Sequence, residues 1–172
     1  MRTVLLGDRP PEVEQLIARR HALGQDLYDE VWEGEYHMAP APHGRHGRVD
    51  DEVGAILHAR ARRAGLRGSG PANLGKPDDY RVPDRSYFAD RVTRTFHPTA
   101  EVVVEIVSPD DESRNKFDFY FRLGIKEVGI IDPNARTVEW YARGEAGFRP
   151  TDGSRLLEVS AAELSAEIDW PE

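Results

Sequence analysis

A nearly unbroken β-branched run, Ala100–Val107 (Ala-Glu-Val-Val-Val-Glu-Ile-Val), stands out in the hydrophobic pattern of the chain. A run of this kind predicts a strand buried on both faces. Alternation puts Glu101, Val103, Glu105 and Val107 on one face and Val102, Val104 and Ile106 on the other. The all-apolar face is expected to meet the core. An ionised carboxylate at Glu105 is costly to bury unless it is paired, hydrogen-bonded or bound to a metal. The Glu105 face is therefore expected to open onto something polar.

The remaining pattern supplies elements around this strand. Pro10-Pro11-Glu12 predicts a short helix to about His21, closed by Gly24. Tyr28–Pro40 predicts a hairpin turning at Glu33-Gly34, with Glu30 and Trp32 on one face and Val31 and Glu33 on the other. A long helix follows, from His43 or Arg45 to Ala64, with Val49, Val53, Ile56, Leu57, Ala61 and Ala64 on one stripe. Its opposite side carries Arg45, Arg48, Arg60, Arg62 and Arg63, with Arg67 just beyond Gly65. That basic side is either a solvated surface or a phosphate-contacting one, with Arg45 and Arg48 as candidate nucleic-acid contacts.

Gly68–Gly75 reads as a glycine-rich connection, and Pro83-Asp84 as the start of a strand through Tyr87-Phe88. After the central strand, Ser108-Pro109-Asp110-Asp111-Glu112 predicts a helix start with Ser108 as N-cap. That helix runs through Phe117 and Tyr120 to Gly124, with Ser113, Lys116, Phe117 and Tyr120 along one side. Glu127–Asp132 and Thr137–Arg143 predict a second hairpin, Phe148–Thr151 and Leu156–Val159 edge strands, and Ala161–Leu164 a helical turn before an Asp169-Trp-Pro-Glu tail.

At 172 residues the chain is read as one domain, with residues 1–25 as an N-terminal helical extension. It has no cysteine, which excludes disulfides and thiolate metal sites and fits a cytoplasmic setting. No apolar run is long enough to span a bilayer. The formal net charge of -8 argues against a surface that grips nucleic acid everywhere, but not against a local basic groove.

Asp84, Glu105 and Lys116 then form a constellation. Two carboxylates on adjacent strands can hold a hard divalent cation such as Mg²⁺ or Mn²⁺, with the backbone carbonyl of Ile106 as a further ligand. A nearby lysine can position or deprotonate the attacking water and offset charge on a phosphate. This is equipment for metal-assisted phosphodiester hydrolysis.

Pro83-Asp84, Val104-Glu105-Ile106-Val107-Ser108-Pro109, Lys116, Tyr120, Gly124 and Val128 through Ile131-Asp132-Pro133 together resemble the Uma-two family of restriction-type endonucleases. Glu30-Val-Trp-Glu33-Gly34-Glu35, the proline-rich loop and His46 extend the resemblance, which covers about Tyr28 to Tyr141. The family is similar to the PD-(D/E)xK nuclease superfamily. The resemblance implies an α/β fold with a restriction-endonuclease-like mixed sheet flanked by helices, here with an additional hairpin. It also implies Asp84 and Glu105 as metal-binding acids and Lys116 as the catalytic lysine. The superfamily lysine normally follows the acid by two positions, where this chain has Val107, so the resemblance moves that role to the next helix. Arg85 stands where the family usually has an apolar residue. Glu33, His46 and Glu52 are candidate auxiliary groups.

The expected function is a Mg²⁺- or Mn²⁺-dependent endonuclease acting on nucleic acid, DNA in the first place, as a homodimer with closed two-fold symmetry. Two alternatives stay open: a non-catalytic nucleic-acid-binding protein that keeps the fold, and an interaction domain in which Glu105 and Lys116 are a buried ion pair.

Overall fold

A computed structural model describes residues 3–5, 9–40, 42–108 and 112–171. Its first elements are β1 (Thr3–Leu5), α1 (Pro11–Ala22), β2 (Glu30–Trp32), β3 (Glu35–Met38) and α2 (Gly44–Arg63). Then come β4 (Arg67–Ser69), β5 (Asn73–Lys76), β6 (Asp79–Arg81), β7 (Arg85–Phe88), β8 (Phe96–His97) and β9 (Val102–Ile106). A 3-10 turn (Ser113–Lys116) runs into α3 (Phe117–Arg122), followed by β10 (Glu127–Asp132) and β11 (Thr137–Arg143). The chain closes with β12 (Phe148–Thr151), β13 (Gly153–Ser154), β14 (Val159–Ser160) and α4 (Ala161–Glu167).

The central sheet has the order β12-β11-β10-β9-β7-β4. Only β9 and β10 run parallel in it, joined by the crossover through α3, so the sheet is mixed. Val102, Val104 and Ile106 of β9 pack with Val49, Val53, Leu57 and Ala61 of α2 and with Leu164 of α4. The long apolar stripe of α2 is thus spent on the face the alternation assigned to the core. The opposite face also packs: Val103 joins Phe119 and Tyr120 of α3, Val128 and Ile130 of β10, and Leu74 of β5.

Leu74 belongs to a second sheet, ordered β1-β3-β2-β6-β5-β8, which the hairpin β2–β3 anchors. Its turn at Glu33-Gly34 has positive φ at both residues, 52° and 92°, the geometry that matches the twist of paired strands. The Arg81 guanidinium lies between the rings of Trp32 and Phe119, at 4.3 and 4.1 Å from their centroids, and so stitches this sheet to α3. Among the described residues no helix is long and apolar enough to cross a membrane.

Several expectations are corrected. The stretch read as a glycine-rich connection contains most of β4 and most of β5, because strands of three or four residues carry too little alternation to register. The expected strand over Leu156–Val159 is instead the pair β13–β14, with Leu156 and Leu157 in the turn between them. The Ser108 hydroxyl meets His46, and a 3-10 turn runs over Ser113–Lys116 ahead of α3. The expected first turn at Pro109, Asp110 and Asp111 lies outside the described residues. The predicted hairpin, α1, α2, the central strand and the β10–β11 hairpin all occur.

Candidate active site

The antiparallel ladder pairs Arg85 with Val104 and Ser86 with Val103. One step further along that register sets Asp84, just ahead of β7, opposite Glu105. Asp84 is fixed by the strand beside it, its Oδ2 accepting the Ile106 N–H at 2.7 Å. Its Oδ1 lies 2.9 Å from His46 Nε2, and the other ring nitrogen, Nδ1, lies 2.9 Å from the Ser108 hydroxyl. His46 sits in the first turns of α2, so that helix clamps the acid through one imidazole. Burial works to lower the His46 pKa, but the hydrogen bond to Asp84 and the surrounding carboxylates outweigh it and raise the value above the ordinary one.

Glu105 is buried to 3% exposure. The expectation that its face opens onto something polar holds, and what it meets is a buried polar cluster rather than solvent. The Tyr120 hydroxyl donates to Oε1 of Glu105. The Lys116 ammonium straddles the same carboxylate, 3.0 Å from Oε1 and 3.2 Å from Oε2. Lys116 and Tyr120 are one helical turn apart, which brings both to one spot. Burial pushes Glu105 up to about 7, against the pull of Lys116, and the neighbouring Asp84 and Glu30 charges add to the rise. Burial would lower the Lys116 pKa, but Glu105 and Glu30 outweigh it and hold the amine protonated, above its ordinary value.

Glu30 is the member that sequence reasoning missed. Its Oε1 lies 2.9 Å from the Lys116 ammonium and accepts the Val82 N–H at 2.8 Å, while Oε2 accepts the Trp32 indole N–H at 2.6 Å. The available signal was a carboxylate sharing a strand face with a tryptophan, in a hairpin short enough for both to be buried or both exposed. On the α2 side, Arg85 pairs with Asp50 at 2.7 Å. The residue after the acid therefore turns to the helix layer, and its charge is matched there.

The other candidates lie elsewhere. Glu33 is exposed at the hairpin turn, 3.4 Å from Arg122. Glu52 is half-buried on α2 and makes no hydrogen bond or ion pair among the described residues. Arg45 reaches the Asn134 side chain at 3.3 Å, and Arg48 pairs with Asp169 in the C-terminal tail. The site thus brings together Asp84, Glu105, Lys116 and His46, and adds Glu30 and Tyr120.

The donor chemistry suits a hard cation. Asp84 and Glu105 offer carboxylate oxygens from opposed positions. Among the described residues no group of three or more His, Asp or Glu side chains converges to hold a metal unaided. A cation here would lean on backbone oxygen and water, as Mg²⁺ commonly does.

A mixed sheet with helices on its faces, two acids on neighbouring strands and a lysine on the crossover between its parallel strands define a restriction-endonuclease-like α/β protein. The model of the Uma2 family, described as "Putative restriction endonuclease", matches residues 11–170, and the chain belongs to that family. Among solved structures, the fold resembles that of a nuclease described as putative and belonging to DUF820 from Anabaena variabilis ATCC 29413. That likeness has a TM-score of 0.65 and 20% identity over 81% of this chain and 90% of the other. No curated protein matches the chain.

Proposed function

We propose that this protein is a divalent-cation-dependent endonuclease that hydrolyses phosphodiester bonds, with DNA as substrate. The observation that carries the reading is the pair of opposed carboxylates, Asp84 and Glu105, with the Lys116 ammonium 3.0 Å from one of them. Asp84, Glu105 and the Ile106 carbonyl would hold Mg²⁺ or Mn²⁺. When bound, the cation would polarise a phosphoryl oxygen and make water a better nucleophile at neutral pH. Lys116, kept protonated by its two carboxylates, acts as a fixed positive charge that orients the water and offsets charge on the phosphate, rather than as a base. His46 and the Ile106 N–H hold the Asp84 carboxylate in one orientation. Arg45 and Arg48, both exposed at the start of α2, would contact the nucleic-acid backbone. A homodimer with two-fold symmetry would present two such sites to two strands.

One observation favours a second reading. Both Glu105 oxygens already accept from Lys116 or Tyr120, as a purely structural charge cluster would have them. In that reading the protein is an interaction domain in which Glu105 and Lys116 are a buried ion pair. Calorimetric Mn²⁺ titration of wild type and Glu105→Ala, with plasmid nicking on the same samples, separates the two. The nuclease reading expects metal binding and nicking in wild type and neither in the variant. Absence of both from wild type would leave only the structural cluster.

A further inference from the structure

Glu30 stands outside the acid pair, on the other sheet, yet its two oxygens join three segments of the site. Oε1 takes the Lys116 ammonium and the Val82 N–H together, and Val82 lies two residues before Asp84. Oε2 is held by Trp32 on its own strand, so the carboxylate cannot swing away from the other two groups without losing a partner. Lys116 is buried to 7% exposure between Glu30 and Glu105, and no charge of its own element meets it there. Glu105 alone would leave the ammonium attached to one strand. Glu30 gives it a second anchor 2.9 Å away, on a sheet that packs against the first.

We infer that Glu30 is a positioning residue: it pins the Lys116 ammonium against the acid pair and ties that cation to the segment that carries Asp84. This rests on the nuclease reading for its catalytic consequence, but not for its geometry. The hairpin β2–β3, which contributes nothing to the Asp84–Glu105–Lys116 set itself, becomes the part that fixes where the lysine stands.

The chain has only three lysines, which makes the anchoring directly measurable. Lys76 and Lys126 have side-chain exposures of 69% and 57% against 8% for Lys116, so they serve as internal references for amine acetylation followed by peptide mass spectrometry. In wild type Lys116 should label far more slowly than either. Glu30→Gln should speed labelling of Lys116 about tenfold or more, through local opening, without changing Lys76 or Lys126. Tyr36→Phe, which removes the Tyr36–Asp29 hydrogen bond elsewhere in the same hairpin, should leave Lys116 protected. Unchanged Lys116 labelling in Glu30→Gln overturns the inference. So does equal acceleration in both variants, which would mean hairpin integrity and not Glu30 is what matters.

Single-turnover nicking gives the second arm. Glu30→Gln should slow cleavage on the order of 100-fold at unchanged KM and unchanged Mn²⁺ affinity, the scale of a misplaced catalytic group. In a Lys116→Met background the same change should cost nothing more. A further loss in that background would show Glu30 acting independently of Lys116 and would overturn its positioning role. If wild type does not nick at all, the nuclease reading falls, while the labelling arm still decides whether Glu30 holds the lysine.

Discussion

Lys116 and Glu105 meet at 3.0 Å with side-chain exposures of 8% and 4%, so neither charge can be relieved by water if the other is removed. Deleting one member of such a pair typically costs about 3–5 kcal/mol, because the survivor is left buried and uncompensated. Lys116→Met should therefore lower the melting temperature by about 10 °C, at roughly 2–4 °C per kcal/mol for a chain of this size. Mn²⁺ binding should survive and nicking should fall on the order of 10²–10³-fold, leaving a residual single-turnover rate that can still be measured. Retention of full nicking in this variant would remove Lys116 from the chemistry.

The pH dependence follows from the raised Glu105 pKa. A carboxyl pushed up to about 7 from 4.5 binds its proton more tightly in the folded than in the unfolded chain. Its contribution is fully present below about 4.5 and is lost as pH rises through 7. In the metal-free protein, Glu105→Gln should flatten the stability curve between these values, measured as urea midpoints across the range. An identical slope in wild type and variant would mean that Glu105 stays ionised throughout.

Asp84 meets the Ile106 N–H and His46, and the proposed cation would add a different demand. The Ile106 N–H needs only an acceptor, whereas a cation needs the charge. Asp84→Ala should be destabilised by about 1–3 kcal/mol, the penalty for an unsatisfied buried donor. Asp84→Asn should recover most of that stability and still fail to bind Mn²⁺ in calorimetry. If the Asn variant binds Mn²⁺ like wild type, Asp84 is not a ligand.

Gly54 makes room for Arg85. A Cβ built at Gly54 would come within 2.2 Å of the Arg85 guanidinium carbon, so Gly54→Ala must displace that side chain from Asp50. Overpacking of this kind costs about 1–3 kcal/mol, which thermal unfolding should show. The double variant Gly54→Ala, Arg85→Ala should lose less than the sum of the two single changes, since both disrupt the same contact.

Long, strongly periodic segments were legible from sequence. The α2 stripe and the β9 run each carry enough apolar positions for their period to be unambiguous, and Asp84, Glu105 and Lys116 followed from charge placed inside or beside such segments. The short strands β4, β5 and β8 were not, because pairing between distant segments rather than local pattern makes them strands. Glu30 was hidden for a related reason. Its spacing within the hairpin is that of an ordinary half-exposed strand, and only the docking of one sheet on the other turns it into a buried partner of Lys116.

The order in which these charges occur along the chain has a consequence for synthesis. A nascent polypeptide carries Glu30, Asp84 and Glu105 before it carries Lys116, so three acids converge with no ammonium to offset them. Closing the interface between the two sheets around them is costly until the crossover segment has emerged and contributed its lysine. A ribosome-bound chain ending at Val107 is therefore expected to hold its hairpin apart from the central strands.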